Sequence, residues 1–299
     1  MLALFLFMDV ERESPCKVNL LLNILGKRND GFHELETVMH PVALFDHLRF
    51  ESASSGIELT CSHPSLACDS TNLVHRAADA FLRAAQIDAG VKIHIEKRIP
   101  LAAGLGGGSG NAATTLLGLN ALFGSPLSDG TLAEIGATLG SDVPFFLQSK
   151  PALATGRGER IQALNFFPAL RDVFIILIHP GFGISTAWAY QNLACFPKAL
   201  NGRPGRAREL VSRLETSDLQ RAASDFHNSL EAPVLHKYPL LALFQEYLRA
   251  HKALATLMSG SGSTTFALLE GPSEAEALSE RFAERFGQTC WRLVVKLGS

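Results

Sequence analysis

The hydrophobic pattern of the N-terminal third predicts a set of β-strands. Apolar and polar residues alternate through residues 16–25, and a period of two is typical of a strand. One face of this strand carries Lys17, Asn19 and Asn23. Strict alternation over residues 91–99 gives the strongest strand signal of the chain. Shorter extended patterns, which complete an expected antiparallel meander, lie at 32–40, 46–51 and 57–61.

Helical periodicity follows in the middle of the chain. Residues 73–85 form a predicted helix that Asn72 caps. Two further helices are predicted at 112–123 and 128–139, and Gly140 ends the second of them.

Strands and helices alternate again in the C-terminal half. Strands are predicted at 172–179, 264–269 and 289–297, and helices at 219–230, 238–250 and 273–286. A short glycine loop at 259–263 leads into the second of these strands, and this order favours a ferredoxin-like arrangement. Residues 201–206 are expected to form a mobile surface loop.

The densest chemical signal is a glycine-rich stretch after the strand at 91–99. Five of the seven residues from Gly104 to Gly110 are glycine, and a predicted helix follows. Glycine permits positive φ and close approach of the backbone to a ligand. Because a helix start offers unpaired N–H groups, phosphate is the usual occupant of such a place.

Glycine-rich stretches also occur in three other contexts. A Walker loop is excluded, because no Lys or Arg lies between Arg98 and Lys150. A relaxed dinucleotide fingerprint can be placed on Gly108, Gly110 and Ala113. Such a fingerprint directly follows a strand, whereas residues 100–103 intervene here. A tight turn without any ligand is the third possibility.

Asp142 is the candidate acid–base residue. It lies between the helix stop at Gly140 and Pro144, with apolar neighbours on its C-terminal side. Such a carboxylate is either the N-cap of a short helix or a general base in a partly dry pocket.

Composition narrows the class of protein. With 299 residues, 47% of them hydrophobic, the chain can form two domains or one large one. A net charge of −2 favours neither nucleic-acid nor membrane binding. Five scattered cysteines favour a reducing compartment, so we expect a soluble cytoplasmic protein. The apolar segment from Met1 to Asp9 is too short to span a membrane and is interpreted as an edge strand, a loose tail or a start-site artefact.

Three separated segments resemble the superfamily of small-molecule kinases that includes galactokinase, homoserine kinase and mevalonate kinase. They lie at 15–20, 100–113 and 259–263. The segments at 30–35 and 139–146, and residues 179–181 with 185–186, resemble the branch that acts on a cytidyl-diphosphate-linked methylerythritol. The likeness runs from about residue 15 to about residue 269 in the family's order. Departures are Cys16 where Ala is common, Phe32 where Tyr is common, and Gly110 where Ser is common.

The resemblance implies a two-domain α+β kinase fold with the active site in the cleft between the domains. Residues 1–163 would bind ATP and residues 164–299 would bind the substrate. The γ-phosphate of ATP would pass to the 2-hydroxyl of the acceptor, in the non-mevalonate route to isoprenoid precursors. Asp142 would take the hydroxyl proton, with Lys17 beside it to neutralise charge on the attacking oxygen. A monomer or weak homodimer is expected.

The resemblance also assigns the binding residues. The ATP site, which includes Asn72 near the adenine or ribose, would be formed by Asn72, Pro100, Gly104, Leu105, Gly106, Gly107, Gly108, Ser109, Gly110 and Asn111. Mg²⁺ would accompany ATP, with Ser109 as a plausible contact. Cytosine would stack between Phe32 and Tyr190 and bond His33, while Asn19 and Thr186 would hold the diphosphate and erythritol end.

Overall fold

A computed structural model describes residues 9–148, 150–216 and 218–297. The strands are β1 (Asp9–Lys27), β2 (His33–Ala53), β3 (Ile57–Cys61), β4 (Gly90–Glu96), β5 (Ala152–Gly156), β6 (Arg160–Ala163), β7 (Phe174–His179), β8 (His227–Asn228), β9 (Ala255–Met258), β10 (Thr265–Leu269) and β11 (Trp291–Lys296). The α-helices are α1 (Leu73–Ala84), α2 (Gly107–Leu122), α3 (Asp129–Leu139), α4 (Val143–Phe146), α5 (Thr186–Asn192), α6 (Pro197–Leu200), α7 (Arg206–Leu214), α8 (Leu219–Ala223), α9 (Glu231–Lys237), α10 (Pro239–Ala250) and α11 (Pro272–Phe286). Two short 3₁₀ helices lie at Pro168–Leu170 and Leu193–Cys195. Apart from Asp9, the predicted N-terminal segment lies outside the described residues.

The chain divides into two compact units, and neither is a continuous stretch. Unit 1 takes its described residues from 1–16, 44–99 and 107–149. Unit 2 takes them from 17–43, 100–106 and 150–299. The sequential boundary after residue 163 stays a prediction. None of the helices in the described ranges is long and apolar enough to cross a membrane.

Unit 1 contains the first part of β1, the second part of β2, β3, β4 and α1 to α4. The C-terminal part of β2 pairs antiparallel with β4. The predicted meander is wrong at β3, which pairs parallel with β4. Parallel neighbours need a long crossover connection, and α1 supplies it here. Gly118 lets α2 approach the sheet, since a β-carbon there would lie 2.4 Å from the Phe50 ring.

The ferredoxin-like part of unit 2 is confirmed by its sheet. Its strand order is β11-β7-β10-β9, with β7 antiparallel to both β10 and β11. Helices α10 and α11 pack on this sheet, and the rings of Phe244 and Phe282 meet edge to face at 4.8 Å. The helix predicted over 219–230 is wrong beyond Ala223, because residues 227–228 form β8 and pair parallel with β1.

The loop at 201–206, expected to be mobile, is tied to β1 and β2 within unit 2. The N–H of Gly202 donates to the carbonyl oxygen of Ile24 at 2.7 Å. Glu36 is 7% exposed and accepts from the N–H of Gly205 at 3.1 Å and of Ala207 at 3.3 Å. A carboxylate at the start of α7 is also favoured by the helix dipole.

Glu36→Ala is expected to lower the free energy of unfolding by about 2 kcal/mol, because it leaves buried N–H donors without an acceptor. Urea denaturation measures the change. Glu51→Ala is the matched control, since Glu51 lies on the same strand, pairs with Arg49 and has a half-exposed side chain. A loss no larger in Glu36→Ala than in Glu51→Ala would contradict the assigned role.

Candidate active site

The ammonium group of Lys17 is held inside unit 2. Lys17 lies on β1 and is only 3% exposed. Its Nζ donates to Asn19 Oδ1 at 2.6 Å and to the carbonyl oxygen of Gly104 at 3.2 Å. A buried charge requires polar partners of this kind. The side chain is therefore fixed in position, unlike the solvated lysines that are common at strand edges.

Asn19 is fixed in turn by β2. Its Nδ2 donates to Thr37 Oγ1 at 2.8 Å, and the Thr37 hydroxyl donates to the carbonyl oxygen of Leu21 at 2.5 Å. Both ends of the Asn19 amide thus have partners within unit 2, and Asn19 orients Lys17. Its direct contact with a substrate stays a prediction. Sequence reasoning missed Thr37, because no local pattern pairs positions 19 and 37.

Two glycine loops meet in unit 2: the first glycine loop, residues 100–106, and the second glycine loop, residues 259–263. Ser259 Oγ donates to the carbonyl oxygen of Gly104 at 3.0 Å, and the N–H of Thr264 donates to that of Ala103 at 3.1 Å. Gly104 has φ of +76°, and a β-carbon there would lie 2.1 Å from the Ser259 carbonyl oxygen. Only glycine fits at position 104. The carbonyl oxygen of Leu105 accepts from the N–H of Lys17 at 2.9 Å.

The helix after the first glycine loop begins earlier than the sequence pattern predicts. α2 starts at Gly107 rather than at residue 112. The predicted phosphate-binding residues that therefore lie in its first turns are Gly107, Gly108, Ser109, Gly110 and Asn111. The first four N–H groups of a helix have no partner within it, and α2 carries no acidic residue in its first turn. These features fit an anionic ligand such as phosphate.

A lysine outside the predicted motif reaches the start of α2 in unit 1. A β-carbon on Gly107 would lie 3.2 Å from Lys97 Nζ. Lys97 forms a buried ion pair with Asp46. Asp46 also accepts from the N–H groups of Arg98 and Ile99, at 2.8 Å each. Alternation over 91–99 gives Lys97 no distinguishing signal, so sequence reasoning missed this pair.

Two predicted ATP contacts have packing partners in unit 1. A β-carbon on Gly110 would lie 2.7 Å from the carbonyl oxygen of Pro15. Asn111 is 2% exposed, and its Oδ1 accepts from Ser14 Oγ at 3.0 Å. These positions join α2 to β1. Their contact with ATP stays a prediction.

Asn72 is the N-cap of α1, as the sequence predicts. Its Oδ1 accepts from the N–H of Val74 at 2.9 Å, and its Nδ2 donates to the carbonyl oxygen of Ala67 at 2.6 Å. Its place near a nucleotide stays a prediction.

Within residues 9–148, 150–216 and 218–297, no group of three or more His, Cys, Asp or Glu side chains could hold a metal ion. The contact of Ser109 with a metal ion stays a prediction.

Asp142 precedes the short helix α4 in unit 1. The N–H of Val143 donates to the carbonyl oxygen of Gly140 at 3.1 Å, which fixes this turn. All four residues of α4 are buried, whereas Asp142 is half-buried. Its side chain makes no capping bond to α4, so the N-cap interpretation lacks its hydrogen bond. The carboxylate is thus held at the N-terminal end of the apolar helix α4. Its role as general base stays a prediction.

Three residues predicted to bind cytosine, Phe32, His33 and Tyr190, lie in unit 2. The rings of His33 and Tyr190 lie 5.2 Å apart at 36°. Burial, and secondly the charge of Lys27, lowers the pKa of His33, so its imidazole is neutral at pH 7. Phe32 is 51% exposed, and the guanidinium of Arg157 lies 4.6 Å from its ring centre. The structure thus brings His33 to Tyr190, and stacking of cytosine between Phe32 and Tyr190 stays a prediction.

Thr186 is the first residue of α5 and is exposed. Its Oγ1 lies 2.8 Å from Ser261 Oγ, in the second glycine loop. The structure therefore connects this predicted substrate residue to the loop that also contacts Gly104.

Comparison with known proteins identifies the class. A family model described as GHMP kinases N terminal domain matches residues 72–150, and one described as GHMP kinases C terminal matches residues 207–288. The chain therefore belongs to the GHMP kinases. The dinucleotide-binding alternative has no support, since residues 97–106 separate β4 from α2.

Closer relatives define the branch. The chain is 42% identical to the 4-diphosphocytidyl-2-C-methyl-D-erythritol kinase of Citrifermentans bemidjiense. The match covers 92% of this chain and 94% of that protein. The chain therefore belongs to the family of these kinases. A crystal structure of 4-(cytidine 5'-diphospho)-2C-methyl-D-erythritol kinase matches with a TM-score of 0.77 at 37% identity, over 97% of this chain and all of that one. Homoserine kinase from Cytophaga hutchinsonii has the same TM-score at 17% identity, over 100% of this chain and 98% of that one, which shows the shared fold.

Proposed function

We propose that this protein transfers the γ-phosphate of ATP to the 2-hydroxyl of 4-diphosphocytidyl-2-C-methyl-D-erythritol. The observation that carries the proposal is the likeness, over about nine tenths of the chain, to relatives named for this substrate. Two features of the structure support it: the buried, hydrogen-bonded Lys17 and the glycine-rich start of α2.

The proposed chemistry depends on positioning and charge, because phosphoryl transfer passes through a loose transition state. The N–H groups at the start of α2 hold phosphate oxygens of ATP. Asp142 accepts the proton of the substrate hydroxyl, and the Lys17 ammonium group stabilises the negative charge that develops on the attacking oxygen. Ser109 would contact the Mg²⁺ that accompanies ATP, and this ion would neutralise phosphate charge.

The cytidine end of the substrate is assigned to Phe32, His33 and Tyr190 of unit 2. A neutral imidazole has one donor and one acceptor nitrogen, and this suits the hydrogen-bonding edge of cytosine. The exposed face of Phe32 offers a stacking surface for the base. Thr186 and Asn19 complete the proposed site at the diphosphate and erythritol end. The proposed place of action is the cytoplasm, because five scattered cysteines favour a reducing compartment.

The reaction is tested by ATP-dependent ADP release with three acceptors: the cytidyl substrate, mevalonate and homoserine. We expect turnover with the cytidyl substrate alone, and inhibition by CDP that competes with that substrate but not with ATP. Turnover with mevalonate or homoserine, without inhibition by CDP, would assign the protein to another GHMP kinase activity.

Phe32→Ala is expected to raise KM for the cytidyl substrate about tenfold or more, because base stacking on an aromatic ring contributes about 1–3 kcal/mol. Phe32→Tyr is expected to preserve KM. The control is Leu243→Ala, since Leu243 has the same exposed fraction of 51% and lies on α10. Equal KM values for Phe32→Ala and the wild type would remove Phe32 from the cytidine site.

A further inference from the structure

The second glycine loop passes close to the Lys17 ammonium group within unit 2. A β-carbon on Gly260 would lie 3.2 Å from Lys17 Nζ and 3.5 Å from Asn19 Oδ1. Gly260 has φ of +54°, a conformation that other residues rarely adopt. Ser259 and Lys17 both donate to the carbonyl oxygen of Gly104. A shift of this loop would therefore move the surroundings of the Lys17 charge directly.

Asn228 holds the same loop from its other side. Asn228 lies on β8 and is 2% exposed. Its Nδ2 donates to the carbonyl oxygens of Met258 and Gly260, at 2.7 Å each. Its Oδ1 accepts from the N–H of Leu230 at 2.9 Å. Both donor positions of the amide are thus used on the β9–β10 connection that carries Gly260.

Glu231 strengthens the hold at Met258. Its Oε1 accepts from the N–H of Met258 at 2.8 Å and from Gln245 Nε2 at 2.6 Å. The backbone of Met258 is therefore bound through its N–H by Glu231 and through its carbonyl oxygen by Asn228. β8 fixes Asn228 itself, because residue 228 pairs with Leu22 of β1, five residues from Lys17 in the same strand.

We propose that Asn228 is a positioning residue for phosphoryl transfer. This proposal rests on the proposed function. Asn228 acts on Lys17 through Gly260 and Gly104. An aspartate at position 228 would present carboxylate oxygens to two carbonyl oxygens that now accept hydrogen bonds. The repulsion would move Gly260 away from its present place beside Lys17. Misplacement of a reacting group by about 1 Å can lower the rate about 100-fold.

The kinetic test compares Asn228→Asp with the wild type on whichever alcohol the wild type phosphorylates. We expect kcat to fall about 30-fold, with KM for ATP and for the alcohol within about threefold. Asn228→Ser keeps one donor without a charge and is expected to lose about fivefold in kcat, which keeps the proposal testable if the aspartate variant does not fold. The control is Asn120→Asp, because Asn120 also bonds a loop through both ends of its amide, at Leu127.

A coupling measurement separates positioning from general destabilisation. In a Lys17→Met background, Asn228→Asp should lower kcat less than threefold, because the group that it positions is already absent. The same 30-fold loss in both backgrounds would overturn the proposal.

A spectroscopic measurement tests the position of Lys17 without depending on turnover. In protein with ¹⁵N-labelled lysine, the signal of the Lys17 ammonium is assigned by its loss in Lys17→Met. We expect the signal to shift in Asn228→Asp and Asn228→Ser and to stay in place in Asn120→Asp. An unchanged signal in folded Asn228 variants would overturn the proposal, whereas an inactive wild type would contradict only the proposed function.

Discussion

Replacing Asp142 with asparagine is expected to lower kcat about 1000-fold, the largest loss expected from any single substitution in this protein. A positioned general base contributes about 10²–10⁴ in rate, and asparagine keeps the size of aspartate while losing the proton acceptor. The side chain makes no capping bond to α4. Steady-state kinetics with ADP detection measures the loss.

The fold and nucleotide binding should survive in Asp142→Asn. We expect the dissociation constant of a non-hydrolysable ATP analogue to stay within about threefold of the wild type, since no ATP contact is assigned to Asp142. Asp129→Asn is the control, because Asp129 is an exposed carboxylate at the first position of α3. A kcat for Asp142→Asn within about fivefold of the wild type would exclude Asp142 as the base.

Lys17→Met is expected to give the second largest loss, about 100-fold or more in kcat. Methionine keeps the length and the apolar stem of lysine but removes the charge that stabilises the attacking oxygen. It also leaves Asn19 Oδ1 and the carbonyl oxygen of Gly104 without this donor. An unpaired buried acceptor costs about 1–3 kcal/mol, so thermal stability should fall together with the rate.

Lys17→Arg is not expected to keep the wild-type kcat. The guanidinium group is larger and planar, and Gly260 lies close to the ammonium position. Lys92→Met is the control, since Lys92 is exposed on β4 and its Nζ lies 3.4 Å from Glu58 Oε2. If Lys17→Met kept wild-type kcat and lost only stability, Lys17 would be a structural residue alone.

Local patterns predicted the elements whose residues carry their own signal. β4 and α3 were found at nearly their observed bounds, because alternation and the caps at Ser128 and Gly140 act within a few residues. The parallel direction of β3 was missed, since pairing direction depends on a partner far along the chain. Residues 227–228 were missed as a strand because their pairing with β1 is also distant.

The early start of α2 shows how packing overrides propensity. Glycine is a poor helix former, and a run of glycines therefore predicts a loop. Residues 107–111 are nevertheless helical. At Gly110, the close approach of Pro15 leaves no room for a side chain. Neither that contact nor the ion pair between Lys97 and Asp46 can be read from a local window of sequence.

The residues of the candidate site also differ in whether the sequence predicts them. Lys17 and Asp142 were found because the motifs around them resemble those of a known family. Thr37 and Asn228 carry no such signal: each is a common polar residue whose importance comes from one distant partner. Hydrogen bonds between elements remote in sequence are specified by the whole fold rather than by local periodicity.

The most direct test is ³¹P NMR of the product formed from ATP and 4-diphosphocytidyl-2-C-methyl-D-erythritol. The account predicts a new phosphomonoester signal on the 2-oxygen, formed in equal amount with ADP and about 1000-fold more slowly by Asp142→Asn. ATP left intact in the presence of this alcohol, or the same product made at the wild-type rate by Asp142→Asn, would contradict it.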